Sequence, residues 1–71
     1  MRRTIDTRGL SCPQPVLLFH QADAEDAASP MDVLVDNEAS FENVTRAAKK
    51  KGWHVEQKDE GDGVFRLELC K

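Results

Sequence analysis

Gly9-Leu10-Ser11-Cys12-Pro13-Gln14-Pro15-Val16 is the stretch on which the fold turns. A glycine turn leads into a cysteine, two prolines follow at alternate positions, and the apolar run Val16-Leu17-Leu18-Phe19 comes next. Proline is at home in the first turn of a helix, because the N–H it lacks would have no intrahelical acceptor there. Pro13 therefore reads as the first helical residue and Pro15 as the third, which makes Cys12 the cap of a helix running to about Ala28. A sulfur at a helix cap sits at the positive end of the helix dipole, within reach of the free N–H of Gln14. That field lowers a thiol's pKa from its free value of about 8.5 and favours the nucleophilic thiolate, with no base or metal required. Ser, Thr, Asp and Asn are the preferred caps. A cysteine beside the better-suited Ser11 points to chemistry more than to structure.

Cys12-Pro13-Gln14-Pro15, preceded by Asp6-Thr7-Arg8-Gly9-Leu10, resembles the CPxP signature of the TusA/SirA-type sulfur-carrier family. The likeness runs over essentially the whole chain: Val33-Leu34-Val35-Asp36 is similar to the family's second strand and Phe65-Arg66-Leu67-Glu68-Leu69 to its last. Val35-Asp36-Asn37-Glu38, with Glu42-Asn43-Val44 after it, is closest to the YedF-like branch. That branch ordinarily carries a second sulfur-relay domain, for which these 71 residues leave no room, and is associated with selenium metabolism.

Size and composition bound the answer. At 71 residues and 39% hydrophobic content, residues 1–71 read as one small TusA-like domain, able to bury only about 60% of its unfolded surface. Aromatic residues are few (Phe19, Phe41, Trp53, Phe65), too few for a large ligand pocket. A net charge of -3 argues against a nucleic-acid footprint, which is basic. No apolar run is of membrane-spanning length and no signal-peptide pattern follows Met1-Arg2-Arg3, so a cytoplasmic protein is expected, its two cysteines reduced. Cys12, Cys70, His20 and His54 lack the paired short spacing of a metal site, and no cofactor is expected.

Arg3–Asp6 reads as a short first strand. The helix after Cys12 takes its apolar stripe from Val16, Leu17, Phe19, Ala24 and Ala27, with His20 a surface residue in preference to a ligand or base, and Ser29-Pro30 end it. Met31–Val35, nearly all apolar, reads as a strand buried on both faces or in the centre of a sheet. Asp36-Asn37 cap a second helix from about Glu38 to Lys51, with Phe41, Val44, Ala47 and Ala48 inward. Lys49-Lys50-Lys51 complement its C-terminus before Gly52, a role compatible with docking an anion or partner. Trp53–Lys58 alternates as a strand with Trp53 in the core, Asp59–Gly63 is a hairpin loop, and Val64–Cys70 is the last strand with Phe65, Leu67 and Leu69 inward. The resulting class is α/β, a β-α-β-α-β-β two-layer sandwich with both helices on one face and the other face open to water. The resemblance implies a four-stranded mixed sheet of order 1-2-4-3 with strand four antiparallel to the rest. Short strand edges point to a monomer.

That topology gathers Arg8 to Cys12, Asp36-Asn37 and the Asp59–Gly63 loop at the carboxyl edge of the parallel strands, a usual place for sites in α/β sheets. Cys70 falls at the opposite edge, on the order of 20 Å from Cys12, too far for a disulfide, which needs Cα atoms within about 7 Å. Cys12 is the expected catalytic residue. Gly9, Leu10, Pro13, Gln14 and Pro15 shape the helix start, and Asp6 and Arg8 are possible support. Arg8 has two equal readings: it stabilises the thiolate, or it pairs with Asp6, Asp36 or Asp62. A lone activated thiol in a shallow, acidic-rimmed site suits a sulfur carrier of the sulfurtransferase type better than a self-sufficient enzyme. The resemblance implies a cysteine desulfurase or other persulfide donor and a downstream acceptor protein, with tRNA thiolation, molybdenum-cofactor supply or selenium handling as end uses. The alternatives are a thiol redox protein using Cys12 and Cys70, and a regulatory protein-binding module.

Overall fold

Six elements follow one another: β1 (Arg3–Asp6), α1 (Gln14–Glu25), β2 (Met31–Val35), α2 (Glu38–Lys50), β3 (His54–Gly61) and β4 (Val64–Cys70). The computed structural model describes residues 3–10, 14–26 and 29–71. Cys12 and Pro13, and with them the cap expected for α1, lie outside the described residues, as do Ala27 and Ala28.

The strands form one mixed sheet in the order β1-β2-β4-β3. β1 pairs parallel with β2, from Arg3 opposite Met31 to Asp6 opposite Leu34. β4 runs antiparallel to β2 on one side and to β3 on the other. Alternate residues of a strand face opposite sides of a sheet, and here Met31, Val33, Val35, Leu67 and Leu69 all turn to one side. Phe19 and Ala22 of α1 and Val44 and Ala48 of α2 close over them, with Trp53 completing the core. Both helices therefore cover one face, in the expected two-layer α/β arrangement. On the other face Asp32 is buried beneath Arg66, whose Nη1 donates to Asp32 Oδ2 at 2.9 Å.

α2 begins as its sequence prescribes. Asn37 is extended and its side-chain oxygen accepts the Ser40 N–H at 2.8 Å, with Glu38 in the positively polarised first turn. Lys49 and Lys50 occupy its last turn, and Trp53 N–H closes the end on Ala48 O at 3.0 Å.

α1 departs from expectation in its end and its face. It stops at Glu25, short of the expected Ala28, and Arg3 of β1 caps that end. The guanidinium donates to Ala22 O at 2.8 Å and Asp26 O at 2.6 Å, and to Ser29 O at 3.0 Å. Its buried residues are Pro15, Phe19 and Ala22, spaced i, i+4, i+7, with Val16 packed at their margin. Leu17 and Ala24, expected inward, are exposed, Leu17 by 54%. At 100° per residue a helix seated on Phe19 turns Leu17 away from the sheet.

The β3–β4 hairpin is longer than expected. β3 continues through Asp59 and Glu60 to Gly61, with a register shift between Asp59 and Gly61, so only Asp62-Gly63 form the loop. Both have positive φ, 55° and 77°, as a two-residue type I′ turn requires. β3 is thus a long edge strand, protected from edge-to-edge pairing by Glu56, Lys58, Asp59 and Glu60 and by its bulge.

Candidate functional site

β1 ends in a turn whose every residue is held. Thr7 is buried, and both its N–H and its hydroxyl donate to Leu34 O, tying the end of β1 to β2. Leu10 N–H returns to Thr7 O at 3.2 Å, closing a four-residue turn with Gly9 in its third position at φ 82°. A positive φ at that position is what a type II turn demands and what glycine supplies at no steric cost. Gly9 N–H donates to Asp36 Oδ2 at 2.7 Å, which anchors the turn to the β2–α2 junction.

Asp6 and Arg8 brace the same turn from outside. Arg8 Nη2 and Nε donate to the two oxygens of Asp6 at 2.6 and 2.9 Å, and Arg8 N–H donates to Asp6 Oδ1 at 3.0 Å. These side-chain and backbone hydrogen bonds from Arg8 hold the Asp6 carboxyl down at about 2. Asp6 in turn, and the more distant Asp36 charge, push the Arg8 pKa up. Arg8 is therefore paired with Asp6, one of the partners expected for it.

The direction of α1 follows from Arg3. Arg3 opens β1 and grips the end of α1, so α1 runs back antiparallel to β1 and its first residue, Gln14, lies at the carboxyl edge of the sheet. Gln14 is exposed and Pro15 is fully buried, fixing the helix start against the core. No acidic residue stands in the first turn of α1 to offset its positive end. Leu10 and Gln14, the two described residues that flank Ser11-Cys12-Pro13, are thus both held at this edge. Cys12 and Pro13 themselves lie outside the described residues.

The β3–β4 hairpin joins the edge as expected. Arg8 and Leu34 line a shallow cavity of about 380 Å³ with Glu60, Asp62 and Arg66. Its walls are mixed in charge, Arg8 and Arg66 alongside Glu60 and Asp62. Arg66 Nε donates to Glu60 Oε2 at 3.3 Å. Cys70 is exposed at the other end of β4, opposite His54. His20 is an exposed residue whose ring lies tilted against that of Phe19, centroids 5.3 Å apart. Among the described residues no group of three His, Cys, Asp or Glu side chains gathers as a metal site. Sequence reasoning missed Thr7 and the Asp36 anchor. A threonine two residues before Gly9 was their one local signal.

The family model described as sulfurtransferase TusA matches residues 3–71. The crystal structure of a SirA-like protein from Desulfitobacterium hafniense shares the fold with a TM-score of 0.86 and 35% sequence identity, over 97% of this chain and 95% of that one. No curated protein sequence matches the chain significantly.

Proposed function

The chain belongs to the TusA sulfurtransferase family, and from that premise we propose that it carries sulfur as a persulfide on Cys12, taken from a donor protein and passed to an acceptor. The Cys12 thiolate attacks the outer sulfur of a donor persulfide. A new S–S bond forms to Cys12 as the donor's S–S bond breaks, and the donor cysteine leaves as a thiolate. In the second step an acceptor thiolate attacks the outer sulfur of Cys12–S–SH, and Cys12 leaves as the thiolate it began as. Each step exchanges one S–S bond for another, so no external oxidant or reductant is consumed.

The observation that carries this reading is the clamp on either side of the CPxP stretch. The Thr7–Leu10 turn is tied to Leu34 and Asp36, and α1 opens at Gln14 with no acid in its first turn. A thiol two residues ahead of an uncompensated helix N-terminus is favoured as the thiolate. The flanking residues Leu10 and Gln14 are fixed at an open edge of the sheet, which suits a site that two partners use in turn. Gly9, Leu10, Pro13, Gln14 and Pro15 shape that position, and Asp6 and Arg8 brace it. A cysteine desulfurase is the donor class proposed, and a second sulfur-relay protein the acceptor class. Among the described residues no helix is long and apolar enough to cross a membrane, and the chemistry suits the reducing cytoplasm.

Intact-mass analysis after incubation with a cysteine desulfurase and cysteine tests the proposal, with Cys12→Ser and Cys70→Ser alongside. A reducible gain of one sulfur atom in the wild type and in Cys70→Ser, lost in Cys12→Ser, is the expected result. No gain from any desulfurase, with Cys12 alkylating no faster than Cys70, would overturn it.

A further inference from the structure

The positive charges of this acidic chain are unevenly used. Arg3 is spent on backbone carbonyls, Arg8 on Asp6, Arg66 on Asp32 and Glu60, and Lys71 on Asp23. Arg46, Lys49, Lys50 and Lys51, in the last two turns of α2 and at its cap, make no ion pair among the described residues, nor does the separate Lys58 of β3. Between α1 and α2 lies a groove of about 510 Å³, with Val16 and Ala47 as apolar lining and His20, Arg46 and Lys50 among its polar walls. Among the described residues no carboxylate lines it. Leu17, the exposed large apolar side chain of α1, stands on the same flank as His20 three residues on.

Lysines at a helix C-terminus complement its dipole, and that role accounts for Lys49 and Lys50. The effect fades within the last turn. It does not explain Arg46, a turn earlier, or a histidine supplied by the neighbouring helix. A cation-walled groove with an apolar lining, on a molecule of net charge -3, is complementary to a short segment that carries carboxylates and an apolar side chain. A nucleic acid fits it less well. The overall negative charge repels a polyanion, and among the described residues no Phe, Tyr or Trp lines the groove.

We propose that the α1–α2 groove docks an acidic segment of a partner protein, its carboxylates on Arg46 and Lys50 and an apolar side chain against Val16 and Ala47. This deepens the carrier reading and rests on it for the partner's purpose. Val16 follows Cys12 by four residues, so an occupied groove brings the partner to the beginning of α1, beside the stretch that exchanges sulfur.

The test is a nitrogen-15 NMR titration of the whole chain with a short synthetic Glu/Leu peptide, its Lys/Leu counterpart and a short oligouridine. The Glu/Leu peptide is expected to shift the amides of Val16, His20, Arg46, Ala47 and Lys50, and to bind more weakly as salt is raised. Reversing two walls of the groove in Arg46→Glu/Lys50→Glu, both exposed and outside the core, should weaken it about tenfold or more, with circular dichroism unchanged. Peptide shifts confined to another face, equal binding by the double variant, or tighter binding of the oligouridine would each overturn the proposal. Uptake of sulfur by wild-type Cys12 from inorganic polysulfide, read by intact mass, tests the carrier reading separately. Its failure removes the carrier and leaves the titration standing, whereas a failed titration with sulfur taken up removes the groove alone.

Discussion

Asp6 and Arg8 lie two residues apart, share a bidentate ion pair and are joined again through the Arg8 backbone N–H. Both side chains are about half exposed, 47% and 52%, so solvent and salt weaken the pair's contribution to stability. Its clearest signature is in titration. The Asp6 carboxyl is lowered from 3.8 to about 2 by hydrogen bonds from Arg8. A depressed carboxyl contributes stability that is present above its unfolded value and lost as pH falls through its folded one. In carbon-13 NMR the Asp6 carboxyl should titrate near about 2 in the wild type and move up toward 3.8 in Arg8→Gln, whose thermal midpoint should be less sensitive to pH in that window. An Asp6 midpoint unmoved by Arg8→Gln would show that the pair does not persist in solution. Gly9 is a second single-residue test. A Cβ there would meet nothing within 4 Å, so the cost of Gly9→Ala is that of holding an L-residue at φ 82°. That is about 1–2 kcal/mol, readable as a lower urea midpoint at unchanged slope. No change in midpoint would mean that the turn relaxes without loss.

At the scale of elements, α1 separates what the sequence discloses from what it withholds. Val16-Leu17-Leu18-Phe19 is apolar all the way round a helical turn, so local pattern does not select the inward side. The sheet selects it by seating Phe19 against Trp53, with ring centroids 6.4 Å apart. Phe19→Ala should therefore cost about 3–5 kcal/mol, a large part of the stability of a domain this small. Leu17→Ala should stay within about 0.5 kcal/mol. Equal losses in chemical denaturation would return Leu17 to the core. The end of α1 was hidden for a related reason. It is capped by Arg3, nineteen residues before Ala22 in sequence, and no local rule anticipates a cap from another strand. α2 was legible because its signals are its own: Asn37 accepts from Ser40, and Val44 and Ala48 share a face. Asn37→Ala should cost about 1 kcal/mol, measured by the same denaturation. The turn before Cys12 was likewise written in Gly9. Its anchors on Leu34 and Asp36 depend on which strand lies beside β1, a fact of the assembled sheet.

The whole molecule sets the relation between its two sulfurs. Cys70 pairs with His54, next to Leu69 opposite Met31, and so lies at the amino edge of the parallel strands. Asp36, which holds the Gly9 turn, lies past the far end of the five residues of β2, on the order of 16 Å away at ~3.3 Å per residue. α1, running antiparallel to β1, brings Gln14 to that same far edge. The chain on either side of Cys12 is thus tethered opposite Cys70, while a disulfide needs Cα atoms within about 7 Å. Mild oxidation of the reduced protein should leave the monomer with both thiols alkylatable and no internal bond. A further consequence bears on sulfur carriage. A neighbouring thiol that could reach a persulfide would attack its inner sulfur, form the disulfide and expel the outer sulfur as hydrosulfide. With Leu10 and Gln14 held a sheet length from Cys70, a persulfide on Cys12 is expected to last as long in the wild type as in Cys70→Ser at high dilution. Its decay can be followed by intact mass after removal of the donor. Faster loss in the wild type, with a monomer lighter by two hydrogens, would mean that the two cysteines meet, and would favour a redox protein over a carrier.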